Sequence, residues 1–390
     1  MTSTGVLLSA IPEPAYIDPA TDRTYPITTP RWCSDTGGPL MMTPLAGITR
    51  EAIDTTCRSL WRYRAALPLP VAAPITLGEG MTPLIPRDWR GARPYFKLEW
   101  QSPTGSFKDR GASVMLSILR EQGIRHVLED SSGNGGAAVA AYAAAGDMAA
   151  KILVPAYTQT GKTVQMRAYG AECELVPGSR ADTSAAAERQ AHDIFYASHA
   201  WQAFFLQGTK TLAYELWEDL GFRAPDNIII PTGGGSNILG CDIGFSELLC
   251  AGEIPHLPRL FAAQPAHCAP LHATFLSGAD TLAAVDARPT LAEGTSIERP
   301  IRWREVLAAI RGSHGQTVAV SEAEIEASHE ALARAGFYVE PTCATADAAL
   351  ARLLDAGVIT ADQTSVVVLT GSGLKATQRI GELMGTLAGP

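Results

Sequence analysis

Short apolar, β-branched runs that end directly in glycine-rich polar loops recur along this chain of 390 residues, and they leave few architectures open. Residues 124–128 run into Ser131-Ser132-Gly133-Asn134-Gly135-Gly136 and then an alanine-rich stretch, which reads as strand, glycine loop and helix. Residues 151–154 and 174–176 read as further strands, with a polar helix starting near Thr160 between them. Residues 227–230 lead into Gly233-Gly234-Gly235-Ser236-Asn237, 260–263 form another such run, and 365–370 lead into Gly371-Ser372-Gly373. Apolar strands alternating with helices imply an α/β fold of parallel sheets covered on both faces. Ligands in such folds gather at the C-terminal ends of strands, where three of these loops fall. Residues 1–60, rich in Pro, Thr and Ser and weakly periodic, read as an irregular N-terminal extension.

The loops carry residue types suited to a bound anion and a nucleophile. Residues 102–111 (SPTGSFKDRG) put Lys108 at the start of a helix through 112–119. A lysine is a nucleophile only when its amine is deprotonated, which partial burial and neighbouring cations favour. Alone, such a lysine is more simply a solvated side chain; the glycine loops change that weighting. In the 131–136 loop, backbone amides can converge on a carboxylate at a helix N-terminus, and Asn134 can hydrogen-bond a cofactor hydroxyl; the plainer alternative is a capped turn. Gly233 to Asn237 can turn several amides toward one phosphate without a lysine; a flexible linker fits poorly directly after a β-branched strand. That loop is neither a GKS/GKT phosphate loop nor a GxGxxG fingerprint. Thr370 sets a hydroxyl at a strand end, where it can meet a ring nitrogen or belong to an ordinary turn.

Composition narrows the class further. A net charge of −9 argues against a general nucleic-acid or anionic-membrane surface, and the apolar run 137–145 is far too short to span a bilayer. Seven cysteines without a CxxC pair read as reduced thiols, and the first residues lack a signal-peptide pattern, so a cytoplasmic protein is expected. The histidines show no HxH or HxxxH spacing, and no metal site is expected.

In order, SPTGSFKDRG, SSGN, PTGGGSN and TGSGLK resemble the pyridoxal 5′-phosphate (PLP) enzymes of the tryptophan synthase β-subunit fold. LWRYRAALPL (60–69), TLGEGMTPLIP (76–86) and QGTKTLAYELWEDLG (207–221) point within it to the threonine synthase family, over about residues 60–380. The resemblance implies the fold type II architecture: two doubly wound α/β domains with the cofactor in the cleft between them. Residues 61–112 and 205–390 would form the large PLP-binding domain and 113–204 the small substrate-binding domain. It also implies that Lys108 forms the Schiff base and shuttles protons, and that Asn134 lies against the cofactor's 3′-oxygen. Gly233, Gly234, Gly235, Ser236 and Asn237 would hold the phosphate, and Thr370 would face the pyridine nitrogen. Ser131, Ser132 and the amides of Gly133 and Gly135 would bind the carboxylate of an amino-acid substrate. A homodimer is implied by resemblance alone. A neutral hydroxyl at the ring nitrogen favours β- or γ-elimination or replacement over transamination.

The chain departs from that family where substrate specificity is set. Members usually read SSGNT, with a threonine where this chain has Gly135. They also carry a segment like NSxNPYRxEGQKT, in which Ala200 here replaces the serine and Phe205 the arginine. Losing three donors to a phosphate dianion should cost several kcal/mol of binding. Phe204–Phe205 suits a smaller, less charged side chain, and Phe205 is expected to line the substrate site. The expectation is elimination or replacement on a small L-amino acid of serine or threonine type. Threonine synthase activity on O-phosphohomoserine is the alternative, with Lys210 or Arg110 as the remaining cations. A silent PLP-fold sensor is opposed by the intact Lys108 and loops; a nucleotide-binding oxidoreductase is opposed by the missing fingerprint. In Cys33-Ser34-Asp35-Thr36-Gly37-Gly38, Thr36 stands where some relatives have the second cysteine of a zinc ribbon, so Cys33 is expected to be a buried structural thiol. Glu340-Pro341 reads as ordinary loop chemistry, and Leu212, Leu216, Leu220 and Trp217 as a packing face.

Overall fold

The computed structural model describes residues 13–158 and 160–385. The N-terminal segment departs from expectation: β1 (Ala15–Asp18), β2 (Arg23–Pro26) and β3 (Met41–Met42) form an antiparallel sheet in the order β2-β1-β3. These strands are too short for alternation to show in the sequence. Tyr16 and Tyr25 nevertheless bury their rings in the same core as the helices that follow.

After β4 (Leu84–Pro86) and β5 (Tyr95–Lys97), α1 (Lys108–Glu121) crosses to a second sheet. There the chain winds through β6 (His126–Glu129), α2 (Asn134–Ala145), β7 (Ala149–Pro155), α3 (Thr160–Ala168), β8 (Glu172–Val176), α4 (Arg180–Gln190) and β9 (Phe195–Tyr196). The four strands lie parallel in the order β8-β7-β6-β9. Alanine favours the helix at α2 and lets it bury on nearly every side. A capping box of Ser179 and Asp182 starts α4.

α5 (Ala203–Thr209) and α6 (Thr211–Asp219) lead back to the first sheet. It is completed by β10 (Asn227–Pro231), α7 (Ser236–Cys250), β11 (Arg259–Pro265), α8 (Pro270–Ser277), α9 (Trp303–Gly312), β12 (Gln316–Val320), α10 (Glu322–Arg334), α11 (Pro341–Asp355), β13 (Ser365–Val368) and α12 (Thr377–Leu383). Its order is β12-β11-β10-β13-β5-β4, parallel except for the β4–β5 pair. Every residue of β10 is buried, which explains why that strand reads as a continuous apolar run. The fold is thus two doubly wound α/β sheets, as the sequence implies. No helix among the described residues is long and apolar enough to cross a membrane.

Two glycines set the approach of α1 to α5. A Cβ on Gly208 would lie 2.0 Å from the Arg110 carbonyl oxygen, and one on Gly111 would lie 2.4 Å from the Phe205 ring. The helices therefore cross nearly backbone to backbone, which brings Phe205 beside the first turn of α1. That turn is anchored from below: Arg110 makes a two-pronged pair with Glu99 at 2.7 Å and reaches Glu215 at 2.8 Å, while Lys97 meets Glu215 at 2.6 Å and Asp219 at 2.7 Å. Lys210, also buried, bonds Glu247 at 2.9 Å and the Ala66 carbonyl at 2.8 Å. Both cations expected as rescuers of an anionic substrate are thus committed to structural pairs.

Leu212, Leu216, Leu220 and Trp217 are buried against the β10 core, as a packing face should be. Cys33 is half-buried rather than buried.

Candidate active site

The C-terminal ends of β6, β10 and β13 carry the three loops picked out in the sequence. The chain before Lys108 is tied to the loop after β13. Ser106 bridges to Gly371, and the Phe107 amide donates to the Thr370 carbonyl at 3.0 Å. Lys108 is the first residue of α1, half-buried, with Nζ 4.7 Å from the centroid of the Phe107 ring and 5.6 Å from that of Phe205. Burial pushes its amine down to about 8, against the attraction of Glu129 and with help from Arg180. At pH 7 about a tenth is therefore the free amine, far more than an ordinary lysine offers as nucleophile or proton carrier.

The loop after β6 faces the loop after β13. Asn134 Nδ2 donates to both Glu340 oxygens at 3.1 Å, and a Cβ on Gly371 would meet the same carboxylate at 2.2 Å. Glu340, read from the sequence as ordinary loop chemistry, thus closes on a candidate cofactor residue. Thr370 is buried, its hydroxyl 3.6 Å from the Cys343 sulfur. Ser131 is buried and accepts from the Gly133 amide at 3.4 Å, whereas Ser132 is half-buried and Gly133 exposed at the start of α2.

The glycine loop after β10 is joined to this group through α5, where Thr209 Oγ1 donates to the Ser236 carbonyl at 3.0 Å. Gly235 adopts φ +87°, a conformation natural to glycine, and a side chain there would strike Val306. A Cβ on Gly234 would meet nothing within 4 Å, so the loop's backbone borders open space. Both polar atoms of the Asn237 side chain, and the Ser106 hydroxyl, are buried without a hydrogen-bond partner among the described residues. Unsatisfied buried groups cost about 1–3 kcal/mol each, and a phosphate group at the start of α7 would give Asn237 the partners it lacks. The residues present fit such a group.

Two residues that sequence reasoning passed over complete the site. Glu129, fully buried at the end of β6, accepts from the His199 amide and from His199 Nδ1, both at 3.0 Å. Burial alone would raise this carboxyl, but His199 and Lys108 outweigh it and hold it below the usual range. The imidazole stands 5.8 Å from the Phe205 ring and directly over Gly135, where a Cβ would lie 2.6 Å from Nδ1. Gly135 is thus a glycine because His199 fills the space of its side chain. Phe205 is fully buried between Gly111, His199 and Lys108, while Phe204 turns away to pack on Tyr16 at 5.3 Å and takes no part. Arg302 fixes the following turn through the carbonyls of Ala200, Trp201 and Leu40. Gly135→Ala is expected to cost about 1–3 kcal/mol by overpacking, seen as a lower melting temperature. In a His199→Ala background the same substitution should cost little; an undiminished cost there would mean the crowding lies elsewhere.

A family model described as pyridoxal-phosphate dependent enzyme matches residues 75–371. The chain is similar to the threonine synthase of Methanosarcina acetivorans, 34% identical over 341 residues that cover 85% of this chain and 84% of the relative. It is likewise similar to the threonine synthase of Synechocystis sp., 35% identical over 337 residues, 82% of this chain and 85% of the relative. Among solved structures, threonine deaminase isoform 2 of Solanum lycopersicum in its processed form superposes with a TM-score of 0.69 at 21% identity, covering 88% of this chain and 91% of that one. Maize serine racemase gives 0.65 at 22%, covering 75% and 89%. At these identities the structural likeness speaks to fold.

Proposed function

This chain belongs to the threonine synthase family of PLP-dependent enzymes, and we propose that it acts by elimination or replacement on a small hydroxy L-amino acid of serine or threonine type. The observation that carries this reading is the packing around Gly135: His199 fills the space over it, and Phe205 closes the floor beside Lys108. Where a family member would offer threonine, serine and arginine to a substrate phosphate, this chain offers an imidazole backed by a carboxylate, an alanine and a buried aromatic ring. A phosphate dianion gains little from such a wall.

The cofactor, when bound, serves as an electron sink that makes the substrate's α-proton acidic. The protein's residues do the rest. The amides of the 233–237 loop, at the start of α7, would hold the phosphate, where Asn237 would gain the partners it lacks. Asn134 would serve the cofactor's 3′-oxygen and Thr370 its ring nitrogen. Ser131, Ser132 and the amides of Gly133 and Gly135 receive the substrate carboxylate at the start of α2. Lys108, with an amine near 8, takes and returns the proton at the α-carbon. We assign residues 113–204 to the substrate lobe and residues 61–112 and 205–390 to the cofactor lobe.

The test is a side-by-side assay of cofactor-loaded protein. L-Serine and L-threonine are expected to release ammonia and the matching α-keto acid. O-Phosphohomoserine should be turned over with a kcat/KM lower by about 1,000-fold or more, since each of the three lost donors to a charged group is worth about 1.5–3 kcal/mol. Efficient release of phosphate together with threonine would overturn this reading in favour of threonine synthase activity.

A further inference from the structure

We infer that His199, held by Glu129, is the residue that reads the substrate's side chain, selecting a hydroxyl-bearing substituent. This rests on the reading of the 131–135 loop as the substrate carboxylate site.

The argument begins with the ring's surroundings. Glu129 accepts at both ends of the His199 residue, from its backbone amide and from Nδ1, so main chain and ring are fixed together. With the Nδ1 proton directed at the carboxylate, the neutral ring presents Nε2 as an acceptor. Nε2 has no hydrogen-bond partner among the described residues, and the side chain keeps 15% of its exposure while Glu129 has none. The buried end of the pair is thus saturated and the open end is free. The ring lies over Gly135 and against Phe205, whose other neighbour is Lys108 Nζ, so it borders the space between the carboxylate loop and the amine.

Charge decides what this end selects. With a neutral imidazole the pair carries one negative charge, and with a protonated one it is neutral; in neither state does it attract a dianion as an arginine would. Lys108 and Arg180 are the cations that act on this region, and Asp130 adds a further carboxyl beside Glu129. Asp130 is itself occupied by Tyr196, Ser198 and Ser184. A hydroxyl, which can donate to Nε2 of the neutral ring and accept from it in the protonated one, without bringing charge, is the complementary group.

The test uses cofactor-loaded wild type, His199→Asn and His199→Gln, titrated with L-serine and with L-alanine. Binding is read from the change in the cofactor's visible spectrum, alongside turnover and melting temperature. Asparagine keeps an amide where Nδ1 meets Glu129 and removes the outer nitrogen, so serine binding should weaken about tenfold, the scale of one hydrogen bond, with alanine unchanged. Glutamine reaches the outer position and should restore part of the preference, which also covers the case that the asparagine variant folds poorly. Equal serine-to-alanine preference in wild type and both variants would overturn the inference and leave the substrate site standing. No spectral response of wild type to either amino acid would overturn the site reading and the inference together.

Discussion

Arg110→Ala is expected to lower the stability of the cofactor-free protein by about 3–5 kcal/mol, the range found when one partner of a buried ion pair is removed. Arg110 faces Glu99 and Glu215 with no solvent exposure on any of the three, and burial alone would lower its pKa. The two carboxylates outweigh that and keep it charged. Without the guanidinium, Lys97 alone would balance Glu99, Glu215 and Asp219. Because Arg110 lies in the first turn of α1, two residues beyond Lys108, the loss should also loosen cofactor retention. Arg110→Lys keeps the charge but not the two-pronged geometry and should fall between wild type and alanine. Thermal unfolding followed by circular dichroism, with and without added PLP, checks both parts. An alanine variant that melts with wild type would show that the network is not what secures α1.

Lys108→Ala should leave the fold intact and abolish chemistry. The side chain is half-buried and makes no ion pair among those found in the described residues, so stability should change by less than about 1 kcal/mol. Turnover should fall about a thousandfold or more, as proton transfer at the α-carbon and covalent attachment are lost together. The amine also sets a pH signature for the wild type. With its pKa lowered to about 8, the free-amine fraction grows about tenfold per pH unit below 8 and levels off above it. Covalent capture of the cofactor by cofactor-free protein should follow that curve, and the alanine variant should show none. Capture that keeps accelerating up to pH 10 would mean Lys108 sits in an ordinary solvated environment.

Much of this site was legible in the sequence because it is local. A strand that runs straight into glycines and then a helix encodes its own geometry, so the loops after β6, β10 and β13, and Lys108 at the start of α1, needed no partner from elsewhere. Gly135, Ala200 and Phe205 were legible as departures, but not for what replaces the lost contacts. Glu129 and His199 are 70 residues apart and join only because β6 and β9 are neighbours in the sheet. A lone acid at a strand end and a lone histidine give no spacing signal. Glu340 and Asn134 meet across 206 residues, from loops that belong to the two different sheets. Arg110 and Lys210 misled in the opposite direction: sequence shows a cation but not the Glu99, Glu215 and Glu247 that occupy it. The β1–β3 sheet escaped because strands of two to four residues carry too little alternation to stand out from a Pro-rich segment.

The measurement that bears most directly on the account is borohydride reduction of the PLP-loaded protein, followed by digestion and mass mapping of the cofactor-bearing peptide. The added mass is expected on Lys108, in the peptide that includes Thr104 to Arg110, and to be absent from the Lys108→Ala protein. Stoichiometric label on any other lysine, or none in a protein that shows the visible cofactor band, would contradict the assignment of these loops around Lys108 as the active site.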